Sequence, residues 1–182
     1  ITFPLEFVMD NVIGTAHILD YARKIDGLER FAYFSTDEVF GPAPPGIYYK
    51  ENDRYNSTNP YSATKAGGEE LAVAYENTYG LPVYVTHTMN VFGERQHPEK
   101  FIPMCIKKIR DGETVTIHSD QTKKIPGSRH YIHAEDVSDA IHFLLTNNIK
   151  NQPNFGGAKC PKFNIVGSEE LNNLELAKII AT

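Results

Sequence analysis

Tyr61 and Lys65 stand four residues apart in a segment of helical character, so both project from one face with Cβ atoms about 6 Å apart. A free phenol titrates near about 10, and a neighbouring ammonium stabilises the phenolate, moving it toward service as a base at neutral pH. The same pair also recurs on solvated helix faces, so spacing alone does not establish catalysis. A second group is the run Thr36, Asp37 and Glu38, a hydroxyl followed by two carboxyls. Where two carboxyls sit in different surroundings, one serves as acid and the other as base, which proton transfer at adjacent carbons requires. Thr and Asp are equally at home as turn or cap residues. Both readings stand at this point.

The elements that must carry these groups can be read from pattern. Residues 30–35 form a short apolar and aromatic run suited to a buried strand, which places the polar cluster from Ser35 onward at its carboxyl end, where α/β sheets put their chemistry. Gly41 to Asn59 is rich in Pro, Gly, Asn and Tyr with no period and reads as a long loop. Asn59 as cap, Pro60 in the first turn and Gly80 as terminator predict a helix to Tyr79 bearing Tyr61 and Lys65. Ahead of these, Phe7, Val8, Val12, Ile13, Ala16, Leu19 and Ala22 mark one helical stripe. Further on, strands are expected at Val83–His87, Thr114–His118, Arg129–His133 and Phe163–Val166, with helices at Glu99–Arg110, Glu135–Asn147 and Glu170–Ile180. The alternation implies an α/β fold with a parallel sheet.

Composition narrows the function classes. The chain has 182 residues, 41% hydrophobic and 23% charged, with a formal net charge of -5. That is the balance of a folded domain, and it offers no positive field for nucleic acid. No stretch approaches the ~20 apolar residues of a membrane span, so a cytoplasmic protein is expected. Cys105 and Cys160 lack metal-type spacing and read as reduced thiols. His130 and His133 fall on opposite sides of an extended segment, so no metal site is expected.

The order and spacing of several motifs resemble one family. They are Asn11-Val12-Ile13-Gly14-Thr15, Ser35-Thr36-Asp37-Glu38-Val39-Phe40-Gly41, Pro60-Tyr61-Ser62-Ala63-Thr64-Lys65-Ala66, Asn90-Val91-Phe92-Gly93, Pro98-Glu99-Lys100-Phe101-Ile102-Pro103 and Arg129-His130-Tyr131-Ile132-His133-Ala134-Glu135-Asp136-Val137. Over most of its length the chain is similar to the extended short-chain dehydrogenase/reductases that act as NAD-dependent nucleotide-sugar epimerases and dehydratases. Within them it looks most like the NDP-glucose 4,6-dehydratases. The Tyr and Lys pair marks the superfamily. Thr36-Asp37-Glu38 is the narrower signal, because related epimerases usually lack the paired carboxyls.

The resemblance implies a Rossmann-like parallel sheet with a smaller α/β substrate-binding portion. Residues 1–94 would be the C-terminal half of the NAD-binding domain, and 95–182 mainly the substrate portion, with 129–147 returning to the first. It implies catalytic roles for Thr36, Asp37, Glu38, Tyr61 and Lys65, and NAD contacts for Asn11, Ser35, Tyr61 and Lys65. Thr36, Asn90, Glu99, Lys100, Arg129 and Asn164 would meet a nucleotide sugar, dTDP-glucose first and UDP- or CDP-glucose next. Tyr61 would take the proton of the 4-hydroxyl with Thr36 beside it, Glu38 the C5 proton, and Asp37 would protonate the departing 6-hydroxyl. A homodimer through the helices near Pro4 and Pro60 is expected of the full-length protein.

Departures from the family pattern also bear on the reading. The glycine-rich turn that seats the cofactor pyrophosphate is absent, together with the acidic residue for the adenosine ribose. A piece lacking the N-terminal half, about 80 to 100 residues, is therefore expected, inactive by itself. Phe40 replaces a frequent Tyr, His130 a frequent Asp, and the loop from Asp120 to Gly127 is long. Two alternatives remain: a 4-epimerase or decarboxylase, which would not need Asp37 and Glu38, and a non-catalytic scaffold of the same fold.

Overall fold

The computed structural model describes residues 3–44, 46–147 and 160–182. They divide into two compact units, one from residues 1–88 and 140–165, the other from 89–139 and 166–182. No described helix is long and apolar enough to cross a membrane.

The first unit is built on a parallel sheet of β1 (Phe31–Thr36), β2 (Val83–Thr88) and β6 (Lys162–Ile165), in the order β1-β2-β6. Its register sets Ser35 beside His87 and His87 beside Asn164, so three polar side chains form one row near the strands' carboxyl ends. The expected strands at residues 30–35, 83–87 and 163–166 are therefore present within a residue or so. The N-terminal helical stripe is one continuous run with a changed pitch: α1 (Pro4–Val8), a π-helical stretch (Met9–Gly14) and α2 (Thr15–Ala22). Leu19 and Ala22 from this run pack with Tyr33, Ala72, Leu81, Val83, Val85 and Cys160 to make the core. Removing such side chains from water supplies the main drive for folding.

α3 (Pro60–Tyr79) follows its sequence signals closely. Asn59 accepts from the Ser62 N–H and Ser62 returns the contact, a capping box, and Gly80 closes the helix in the left-handed conformation at φ 71°. Gly68 is what lets α3 lie close to its neighbours. A Cβ there would stand 2.3 Å from the Tyr33 hydroxyl oxygen and 2.4 Å from the Asn11 carbonyl oxygen.

The second unit holds the parallel pair β3 (Val91–Phe92) and β5 (Ile132–His133), the antiparallel pair β4 (Ser128–His130) and β7 (Glu170–Asn172), and the helices α4 (Phe101–Arg110) and α6 (Asn173–Ile180). The chain passes back to the first unit within α5 (Ala134–Thr146). Two expectations need correction here. Thr114–His118 is not a strand; the chain makes a single bridge between Ser119 and Pro126. Just beyond it the Asp120 carboxylate accepts from the Lys124 and Ile125 N–H groups and the Thr122 hydroxyl, a side-chain-held turn inside the Ser119 to Pro126 bridge. Residues 170–172 are strand rather than helix, because Asn172 caps the Glu175 N–H and starts the helix only at Asn173.

Candidate functional site

At the carboxyl end of β1 the chain turns through a short 3-10 helix, Asp37–Phe40. Thr36 begins it: its hydroxyl accepts from the Glu38 N–H at 3.3 Å and donates to Asp37 Oδ1 at 3.2 Å. Thr36 is thus a cap, as its type allows, and that cap fixes the two carboxylates that follow. Glu38 is exposed and accepts from the Asn59 side-chain amide at 3.0 Å. The residue that starts α3 is therefore also tied to the acidic turn.

Tyr61 lies in the first turn of α3, half-buried, its ring edge-on to Phe7 at 5.6 Å. Its phenol is raised above the ordinary value, by burial first and then by the charges of Glu38 and Asp37. The geometric link between them is Asn59, which caps the helix that carries Tyr61 and holds Glu38 by its side-chain amide. Lys65, one turn further on, is half-buried and lowered by burial, with Glu69 opposing. Its ammonium donates to the Phe34 carbonyl and lies 4.8 Å from the Tyr33 ring centroid.

This arrangement departs from the sequence expectation that Lys65 lowers the Tyr61 phenol. The direction is reversed, because burial first and then the charges of Glu38 and Asp37 raise the phenol, while the Lys65 ammonium is held on the β1 backbone. Ser35 is buried, and its hydroxyl has no partner among the described residues. Asn11 projects from the π-helical stretch and donates to Thr64 Oγ1 at 3.0 Å; Thr64 in turn donates to the Tyr61 carbonyl at 2.8 Å. Asn11, Ser35, Thr36, Asp37, Glu38, Tyr61 and Lys65 all belong to the first unit.

Of the other expected residues, Asn90, Glu99, Lys100 and Arg129 lie in the second unit. Asn90 has a positive φ of 33°, and its carbonyl accepts from the Ile132 N–H at 3.5 Å. Glu99 and Lys100 are exposed just ahead of α4, and Arg129 is exposed on β4 with one guanidinium nitrogen on the Ser128 carbonyl. Asn164, expected at the sugar, has both ends of its amide engaged inside the first unit. Its Oδ1 faces His87 Nδ1 at 3.1 Å, and its Nδ2 donates to the Tyr49 carbonyl at 3.2 Å.

His87 leads to a group the motifs did not single out. Its Nε2 lies 3.1 Å from Glu69 Oε2, and Glu69 also accepts from the Tyr55 hydroxyl and pairs with Lys162 Nζ at 2.8 Å. Both Glu69 and His87 are fully buried. The Glu69 carboxyl is opposed by burial, yet hydrogen bonds from His87, Lys162 and Tyr55 together with the His87 charge hold it down to about 2. One signal was present in the sequence. Ser62, Lys65, Glu69, Ala72 and Glu76 recur at helical spacing on the face of α3 that turns inward, so a carboxylate was bound to enter the interior.

Three comparisons bear on this geometry. A profile of the family described as "NAD dependent epimerase/dehydratase family" matches residues 1–156. A low-salt glycan biosynthesis protein of Haloferax volcanii is 39% identical over 174 residues, 96% of this chain and 51% of that protein. A trifunctional UDP-glucose 4,6-dehydratase/UDP-4-keto-6-deoxy-D-glucose 3,5-epimerase/UDP-4-keto-L-rhamnose-reductase of Arabidopsis thaliana is 42% identical over 143 residues, 77% of this chain and 21% of that protein. Among solved structures, the dTDP-glucose 4,6-dehydratase of Bacillus anthracis in complex with NAD superposes with a TM-score of 0.84 at 31% identity, over 97% of this chain and 52% of that one. The chain therefore spans about half the length of two of these proteins and a smaller share of the third.

Proposed function

Because the chain belongs to the NAD dependent epimerase/dehydratase family, we propose that it carries the catalytic residues of a lyase that removes water from a nucleoside-diphosphate hexose to give the 4-keto-6-deoxy sugar. The observation that supports this reading is the placement of Asp37 and Glu38 on one capped turn that Asn59 links to the helix carrying Tyr61. A 4-epimerase needs a base and a hydride acceptor at C4 alone. Two carboxylates on the turn beside that base suit a reaction with a second pair of proton transfers.

The residues at the end of β1 and the start of α3 fit a nicotinamide dinucleotide. The buried Ser35 hydroxyl, which has no partner among the described residues, the Tyr61 phenol and the Lys65 ammonium are the donors a ribose and a carboxamide call for. Ser35, Tyr61, Lys65 and Asn11 would hold NAD, which when bound supplies the hydride acceptor for C4 and the hydride donor for C6.

The remaining work falls to this chain's own side chains. Tyr61 takes the proton of the 4-hydroxyl, with the Thr36 hydroxyl beside the same oxygen. It does so as the phenolate, so its raised phenol must first release its own proton to solvent, a loss that the charge of the neighbouring Lys65 ammonium favours. Oxidation at C4 acidifies the C5 proton, which Glu38 removes while Asp37 protonates the 6-hydroxyl. The C6–O bond breaks, water departs, and a C5–C6 double bond remains. Exposed Glu38 is the better placed to exchange its proton with solvent. Asn90, Glu99, Lys100 and Arg129 would grip the sugar and diphosphate, Arg129 through the paired donors of its guanidinium. A homodimer of the full-length protein is part of the same proposal.

The test is to express the complete coding sequence, mix the protein with dTDP-, UDP- and CDP-glucose, and follow the alkali-induced absorbance of a 4-keto-6-deoxy product. A signal with one donor supports the dehydratase and names its nucleotide. Silence with all three, despite bound NAD, sinks the reading in favour of an epimerase or a different sugar.

A further inference from the structure

Glu69, His87, Tyr55 and Lys162 have no part in the chemistry just proposed, yet they lie directly behind it. Phe40, the last residue of the turn that bears Asp37 and Glu38, is 1% exposed. Its ring meets His87 at 4.8 Å and Tyr55 at 5.3 Å, both edge-on, and stacks on Tyr49 at 5.5 Å. The Tyr55 hydroxyl donates to Glu69 and accepts from Lys162 Nζ at 2.8 Å, so the ring that walls in Phe40 is anchored by its polar end. The hold continues along the chain. The Asn56 N–H and the Ser57 hydroxyl donate to the Val39 carbonyl at 2.9 and 3.4 Å. Gly41, at φ 76°, passes so close to the Asn56 carbonyl that a Cβ would stand 2.4 Å from its oxygen.

A buried carboxylate with cationic and phenolic partners is a poor choice for stability alone, because apolar side chains of equal volume would stabilise as well or better. What such a cluster adds is direction, since each hydrogen bond fixes an angle that packing leaves loose. We propose that Glu69 and His87 are positioning residues: through Tyr55 and Phe40 they fix the Asp37–Phe40 turn, and with it the acid and base carboxylates, against the Tyr61 end of α3. The proposal rests on the dehydratase reading above for the task of those carboxylates, and on the geometry alone for the support of the turn.

The decisive variant is Tyr55→Phe, which keeps the ring against Phe40 and removes only the hydroxyl; Glu69→Gln is the companion, and Tyr55→Phe suffices if it fails to fold. Two quantities are measured in the protein from the complete coding sequence: amide hydrogen exchange at residues 39–41, with 31–33 on β1 as reference, and steady-state turnover of the nucleotide sugar. Losing one charge-assisted hydrogen bond should speed exchange at 39–41 by roughly tenfold, and kcat should fall with KM kept. A folded Tyr55→Phe protein whose exchange at 39–41 matches wild type overturns the proposal. Faster exchange at 39–41 in a protein whose wild type makes no 4-keto-6-deoxy sugar removes the dehydratase reading and leaves the support of the turn standing.

Discussion

The side-chain amide of Asn59 donates to the Glu38 carboxylate at 3.0 Å while its carbonyl oxygen caps the Ser62 N–H at 2.9 Å. One residue thus starts the helix that carries Tyr61 and holds the carboxylate assigned as base. Asn59→Ala should cost about 1 kcal/mol of stability through the lost cap. Unlike an ordinary cap deletion, it should also slow product formation, because Glu38 loses its tether. Urea denaturation together with turnover would check both. Loss of stability with unchanged turnover would show that the tether is idle.

Gly68 should tolerate no side chain. In Gly68→Ala the new carbon meets the Tyr33 hydroxyl and the Asn11 carbonyl at distances no real Cβ adopts, and overpacking of this kind costs about 1–3 kcal/mol. Because Asn11 is one of the displaced groups, NAD affinity should weaken along with thermal stability. A variant as stable as wild type would mean that α3 does not pack as closely as described.

Tyr61 should respond to its acidic neighbours in a defined direction. Burial and the charges of Glu38 and Asp37 raise its phenol, so removing both charges in an Asp37→Asn, Glu38→Gln protein should bring its titration to lower pH. Labelling tyrosine Cζ with carbon-13 and following the Tyr61 resonance with pH measures this directly. A titration that stays put or moves upward would separate the carboxylates from the phenol.

The Glu69 carboxyl should make stability acid-sensitive. Its folded value, about 2, lies below the ordinary 4.5, so its contribution is fully present above the unfolded value and is lost as pH falls through the folded one. Each unit of that difference is worth about 1.4 kcal/mol. Denaturation of wild type between neutral pH and about pH 2 should therefore show a slope that Glu69→Gln flattens, while lowering stability at neutral pH. Parallel curves for the two proteins would contradict this.

What pattern could reveal depended on how local the cause was. α3 was legible to the residue because Asn59, Pro60 and Gly80 act through the backbone beside them. The Thr36-Asp37-Glu38 turn was legible because both its cap and its position at the end of a strand are local. Thr114–His118 misled because a short alternating run does not show whether a partner strand lies beside it, and the nearby pairing is only the bridge from Ser119 to Pro126. The Tyr61 phenol was expected to be lowered because helix spacing brings Lys65 near, whereas the Phe34 carbonyl that holds the ammonium comes from β1. The support cluster lay furthest out of reach. Tyr55, Glu69, His87 and Lys162 meet only once a loop, a helix and two strands have taken their register.

The most direct test of the dehydratase reading is where solvent deuterium enters the product. The protein from the complete coding sequence, incubated in deuterated water with the nucleotide sugar it accepts, is predicted to form a 4-keto-6-deoxy sugar carrying deuterium at C5, where Glu38 removes a proton and solvent replaces it. Recovery of a C4 epimer that keeps its original C5 hydrogen and its 6-hydroxyl would contradict the account and assign these residues to an epimerase.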